Sequence, residues 1–438
     1  MKTRFNERGL ALLALVFLIA IIVTVYTFKK LNASEITIQR DKNTAAALAE
    51  AKEALMGWSI AHQQYPGILP FPDRSAVDGN YDGNADCTNS VSAFDLLIGK
   101  LPYAAQTLPC IGDGANQYGI SADLEDGSGE RLWYAVSRNL IRTSDAPGSL
   151  IINPAIADAP SQPWLVVRDK NGQIISNRVA AVIIAPGAPV GGQNRSGGLA
   201  GANAYLDSIT IAGVTYSNAN YVIPNEDFII GDDMRYVTPS NQVYQQPYEY
   251  NDKLIYITID ELMLALNKRA LGDAANSLRA YYQASAANPV DRFYPYAAVL
   301  GDPTNRCDEG LQQGLLPINN VVNNVASSCT HANKGVTDYL PAWFTESRWQ
   351  DFMYYVLSND CSFASPGCAN GVIQVGAQAN VKALLIATGA TLTGQDRPSS
   401  NINNYLDSIE NTDLDFVFDA TSTSITKNYN DQMLIVAP

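Results

Sequence analysis

Asp78, Asn80, Asp82, Asn84 and Asp86 alternate along one short stretch that also holds Gly83, so the run reads D-x-N-x-D-G-x-x-D. Oxygen ligands at every second residue of a tight turn converge on one point, and such hard ligands suit Ca²⁺. Gly83 permits the turn, and Asn84 can offer its carbonyl. The bidentate glutamate usual at the twelfth position is missing: Asn89 stands there, and Asp73 is the nearest carboxylate that could substitute. A plain Asn/Asp/Gly turn accounts for the same residues. Calcium is therefore the one cofactor expectation, with the plain turn beside it. A second acidic turn, Asp123, Glu125, Asp126 and Glu130 around Gly127 and Gly129, reads as an exposed turn rather than a metal site.

Other reactive side chains do not converge. The chain has two histidines, His62 and His331, which argues against histidine-rich metal chemistry and histidine-based triads. Gly-x-Ser-x-Gly, a phosphate-binding P-loop and His-Glu-x-x-His are absent. No catalytic residue is nominated, and the chain reads as a non-enzyme. A formal net charge of −14 repels phosphate backbones, so no nucleic-acid partner is expected. Tyr244, Tyr248 and Tyr250 cluster among amides and could stack sugars. A sheet edge or module interface is the favoured reading of these tyrosines.

The chain repeats itself. VAAVIIAPGAPVGGQNRS at 179–196 matches VKALLIATGATLTGQDRPS at 381–399. Tyr-Leu-Asp-Ser-Ile occurs at 205–209 and at 405–409, and Tyr-Asn-Asp at 250–252 and at 429–431. Gly-Lys-Leu-Pro at 99–102 pairs with Gly-Leu-Leu-Pro at 314–317. Similarity kept in one order over such a length marks a tandem duplication. Six cysteines allow 15 pairings. The duplication favours Cys87–Cys110 and Cys307–Cys329, each straddling its Gly-x-Leu-Pro, and leaves Cys361 with Cys368. Disulfides imply an oxidising compartment.

Helices and strands must position these groups. Leu10 to Phe28 is a charge-free run of 19 residues, long enough at about 1.5 Å per residue to cross a bilayer core. The Ala-rich stretch after it predicts that the helix continues to residue 62, with Leu48, Ala51, Leu55 and Trp58 on one stripe, until Tyr65-Pro66-Gly67 stops it. Thr258-Ile259-Asp260-Glu261 is a capping box opening a second helix striped by Leu262, Leu266, Ala270, Ala274 and Leu278. Runs at 180–185, 220–224, 253–259, 382–387 and 433–437 read as strands.

Arg8-Gly9 before an apolar helix resembles the class III signal of type IV prepilins and type II secretion pseudopilins. That resemblance implies cleavage between Gly9 and Leu10 by a prepilin peptidase, methylation of Leu10, and other pilin or pseudopilin subunits as partners. It implies an α+β fold: a long N-terminal transmembrane helix followed by two tandem pilin-like helix-plus-antiparallel-sheet modules. The expected divisions are a leader at 1–9, a transmembrane helix at 10–30, a first module at 31–257 with its helix at 31–62, and a second module at 258–438. The location would be the bacterial inner membrane, single-pass, with periplasmic domains. Two positions depart from the family: Leu10 stands where Phe or Met is usual, and Ala14 where Glu is usual. The missing carboxylate and double head favour a minor or tip-like subunit of a type IV pilus or type II secretion pseudopilus. The alternative is a membrane-anchored periplasmic binding or adhesin-like protein outside any filament.

Overall fold

The computed structural model describes residues 7–74, 80–88, 97–105, 119–120, 122–143, 150–196, 200–219, 221, 227–231, 250–318, 335–419 and 429–438. Its helices are α1 (Glu7–Ala61), α2 (Ile259–Ser285) and the short α3 (Ala342–Glu346). The first half holds β1 (Ile98–Lys100), β2 (Trp133–Val136), β3 (Leu165–Arg168), β4 (Ile174–Ala185), β5 (Ser208–Ile211), β6 (Val214–Ser217), β7 (Asp227–Ile229) and β8 (Lys253–Thr258). The second half holds β9 (Gln313–Leu315), β10 (Met353–Leu357), β11 (Ile373–Val375), β12 (Gln378–Val381), β13 (Ala383–Ala387), β14 (Val417–Phe418) and β15 (Gln432–Ala437).

The two halves use one strand plan. In the first, β1 pairs β2, β2 pairs β4, and β4 pairs β8, all antiparallel. In the second, β9 pairs β10, β10 pairs β13, and β13 pairs β15, again antiparallel. The outer strands correspond as well. β3 pairs the first part of β4 antiparallel and β7 parallel, as β11 pairs β12 antiparallel and β14 parallel.

α2 joins the halves. Thr258, the last residue of β8, caps it: its hydroxyl accepts from the Glu261 amide at 3.1 Å, and the Glu261 carboxylate accepts from the Thr258 amide at 3.0 Å. Leu262, Leu266, Ala270, Ala274 and Leu278 are all buried, and the helix touches β4 and β8 of one sheet and β13 and β15 of the other. Small alanines along the stripe let both sheets approach closely. The larger hydrophobic cluster runs from Ala47 to Val436 and so belongs to both halves. Strand alternation sends Tyr355 and Leu385 into that shared core, and Tyr354, Leu384 and Ile386 into a second cluster behind the second sheet.

These findings correct the expected fold class. Among the described residues no helix is long and apolar enough to cross a membrane, so the span at 10–28 is not carried forward. The single-pass inner-membrane location falls with it. Where the side chains of α1 are described, the pattern is that of a surface helix. Residues 35–43 are exposed and include Glu35, Arg40, Asp41 and Lys42, while Thr44, Ala47, Leu48, Ala51, Leu55 and Ser59 form one buried stripe. The picture of tandem helix-plus-sheet modules also changes. The body is built on fifteen strands in four sheets among the described residues, with one core common to both halves.

Candidate functional site

The repeated sequence blocks meet in space. In each half, three segments converge: the loop leaving the central strand, the Tyr-Leu-Asp-Ser-Ile block, and the Tyr-Asn-Asp that opens the last strand. In the first half, Gln193 donates to Asp207 Oδ1 at 2.7 Å, and in the second Gln395 donates to Asp407 Oδ1 at 2.9 Å. The amide of Asn251 donates to Asp207 Oδ2 at 2.6 Å, and that of Asn430 to Asp407 Oδ2 at 2.7 Å. The amide of Asp207 donates to Asp252 at 2.8 Å, and that of Asp407 to Asp431 at 2.9 Å. Asn251 and Asn430 return to the loop through Ala188 O and Ala390 O, each at 2.8 Å.

An arginine closes each network. Arg195 donates to the carbonyls of Gly187 and Tyr205 and to Gln193 Oε1, at 2.7, 3.0 and 2.6 Å. Arg397 does the same to Gly389, Tyr405 and Gln395, at 3.0, 3.2 and 3.0 Å. The guanidinium lies over the ring of Tyr205 in one half and Tyr405 in the other. Gly187 and Gly389 both have φ of 60°, the left-handed region in which a Cβ is strained. A Cβ there would also run into the side chain of Asn251 or Asn430.

Electrostatics follow from the burial. Burial pushes Asp252 well above its ordinary value, and the neighbouring Asp207 carboxylate adds to the rise. Burial raises Asp207 too, held back by the amides of Asn251 and Asp252 and by Arg195. Asp431 and Asp407 repeat this: burial lifts Asp431 well up with Asp407 adding, and lifts Asp407 against the Asn430 amide, Gln395 and Arg397. Two adjacent buried carboxyls cannot both carry charge cheaply, so each pair retains a proton that free carboxyls would lose. Asp252 Oδ1 and Asp431 Oδ1 are buried without a hydrogen-bond partner, and protonation removes the cost of leaving a charged oxygen there. Asp252 is fully buried and shares the Asn218 side-chain amide with the Tyr250 hydroxyl. The arrangement pins loops and stores a proton; Asp252 and Asp431 are buried, while Asp407 is half-buried and lines a surface pocket of about 300 Å³ with Gln395 and Ser408.

The other expected site residues are dispersed. Gly9 and Leu10 lie at the start of α1. Of the proposed calcium ligands, Asp78 lies outside the described residues. Asp82 accepts from the Asn84 amide at 2.7 Å, a local turn bond, and Asp86 is buried and accepts from the Arg74 amide. Asp73 is also buried. It pairs with Arg131 at 2.9 Å and accepts from the Gly83 amide at 2.8 Å, yet burial dominates and its carboxyl is pushed up to about 6. Among the described residues no group of three or more His, Cys, Asp or Glu side chains could hold a metal ion. Asn80 lies in the same bend.

In the second acidic turn Asp123 and Glu125 are exposed, as expected, while Asp126 makes it a clasp as well. Asp126 is buried and accepts from the amides of Ser128 and Gly187, both at 2.7 Å, while the Gly127 amide donates to Thr44 on α1 at 2.9 Å. Cys361 and Cys368 form a disulfide. Cys87 and Cys307 are disulfide-bonded; Cys110 and Cys329, their expected partners, lie outside the described residues. His62 is buried and accepts from the Tyr65 amide at 3.1 Å; His331 lies outside the described residues. Tyr250 is buried, so it presents no stacking surface, and Tyr244 and Tyr248 lie outside the described residues.

Sequence reasoning treats Asp207, Asp252, Asp407 and Asp431 as markers of duplication and misses that they form one site twice over. The usable signal was that the repeats preserve polar residues, Gly-Gln-x-Arg, Leu-Asp and Asn-Asp, as faithfully as apolar ones. No family model matches this chain, and no curated protein or solved structure matches it.

Proposed function

We propose that the protein is a non-catalytic structural subunit of a pilus-like filament, in a minor or tip-like position of a type IV pilus or type II secretion pseudopilus. Its partners on this reading are other pilin or pseudopilin subunits and a prepilin peptidase. The observation that carries it is α1, one helix of 55 residues whose described side chains are exposed at 35–43 and form a buried stripe from Thr44 onward. The exposed residues before Thr44 include Ile36 and Ile38, apolar positions that a neighbouring subunit's helix could cover. The duplicated networks support the same reading, because their hydrogen bonds tie distant loops together and stiffen a body. Intact-mass measurement in a cell with a prepilin peptidase tests it. The mature chain should start at methylated Leu10; a chain that keeps Met1 to Gly9 overturns the reading and leaves the protein outside any filament.

A further inference from the structure

The two halves differ at one equivalent place. Gly83 and Asn305 both have positive φ, and their carbonyls accept from Tyr103 N at 2.9 Å and Ile318 N at 3.0 Å, one residue after each Leu-Pro. Two residues before them stand Tyr81 in the first half and Pro303 in the second. On the adjoining strand, Lys100 faces Trp133 across β1 and β2, and Leu315 faces Tyr354 across β9 and β10.

In the first half this volume is full. The Tyr81 ring packs edge-on against Trp133 with centroids 5.8 Å apart, and its hydroxyl donates to Ala200 O at 3.0 Å. The Lys100 ammonium lies 4.6 Å from the Tyr81 ring and 4.9 Å from the Tyr205 ring. In the second half the phenol is replaced by a small proline ring and the lysine by a leucine, while Tyr405 and Arg397 keep their places. What results is a pocket of about 110 Å³ lined by residues that include Pro303, Leu315, Arg348, Phe352, Arg397 and Tyr405.

We propose that this pocket receives one aromatic ring, the side chain of a tyrosine presented by a partner protein, in the volume that Tyr81 fills in the first half. The size is of the same order, somewhat below the enclosed apolar cavity of about 150 Å³ that takes up benzene whole. The walls agree too: leucine, proline and phenylalanine are among them, and so are Arg348 and Arg397, cations of the kind that favour an aromatic face. Asp302 and Asp351 also line it, and Asp351 is already paired with Arg348 at 2.8 Å.

The full chain titrated with p-cresol, the tyrosine side-chain analogue, tests this by calorimetry or chemical-shift mapping. Saturable one-site binding is expected, with 4-methylcyclohexanol, the same shape without a π face, at least about fivefold weaker. Leu315→Phe fills the pocket and should weaken p-cresol tenfold or more. Arg348→Ala, at a side chain that is 51% exposed and so tolerant of change, should weaken it severalfold. Absence of saturable binding overturns the proposal, as does equal binding of the saturated analogue. So does unchanged affinity in Arg348→Ala, which stays informative if Leu315→Phe fails to fold.

Discussion

Asp207 and Asp252 exchange backbone hydrogen bonds reciprocally: the Asp207 amide donates to the Asp252 carboxylate at 2.8 Å, and the Asp252 amide donates to the Asp207 carboxylate at 3.1 Å. Residues 45 apart in sequence are thereby locked side by side, each satisfying the other's main chain. The second half builds the same lock from Asp407 and Asp431.

A pH dependence follows. The folded pKa values of all four carboxyls lie above the ordinary 3.8. The folded protein therefore holds protons that the unfolded chain releases. The stability these groups contribute is fully present below about pH 3.8 and is lost as pH rises through their raised folded values. Asp252→Asn and Asp431→Asn mimic the protonated form and should flatten that part of the profile. Melting temperatures of wild type and variants between pH 4 and 8 check this. Parallel profiles would show that the pairs titrate alike in both states.

The arginines are the second test. Arg195→Met or Arg397→Met strips donors from three acceptors in one loop cluster and should destabilise by about 3 kcal/mol. Lysine should not restore the loss, because a single ammonium cannot reach the carbonyls of Gly187 and Tyr205 together as the planar fork does. Urea denaturation of the Met and Lys variants decides it, a full rescue by lysine counting against the fork.

The shared core predicts cooperative unfolding. α2 buries Ala270 and Ala274 between the sheets of both halves. Ala274→Leu overpacks that seam and should cost about 1–3 kcal/mol. Calorimetry should then show one transition shifted whole. Thr258→Ala removes the cap of the same helix and should cost about 1 kcal/mol, again without splitting the transition. Two separable transitions, with only one moving, would return the halves to independent modules.

The α2 stripe and its capping box were legible residue by residue, because a local periodicity of about 3.6 reports which face is buried whatever it packs against. Four of the five expected strand runs fall on β4, β8, β13 and β15; the run at 220–224 lies largely outside the described residues. Spacing could place the expected calcium ligands on one turn, but could not say which other groups the folded chain brings to them. Here the Arg74 amide claims Asp86, while Arg131 claims Asp73, the distant carboxylate named as a substitute.

By itself the sequence determined the duplication, the helix α2 with its start, and the absence of familiar catalytic motifs, all of which depend on order, spacing and local propensity. Only the tertiary structure decided that the repeated Asp residues meet, that one helix serves two sheets, and that Pro303 leaves open what Tyr81 closes. Those outcomes depend on which segments distant in the chain are brought together, and on how much water they lose there. Burial rather than residue type decides whether a carboxylate is a ligand, a latch or a solvated turn.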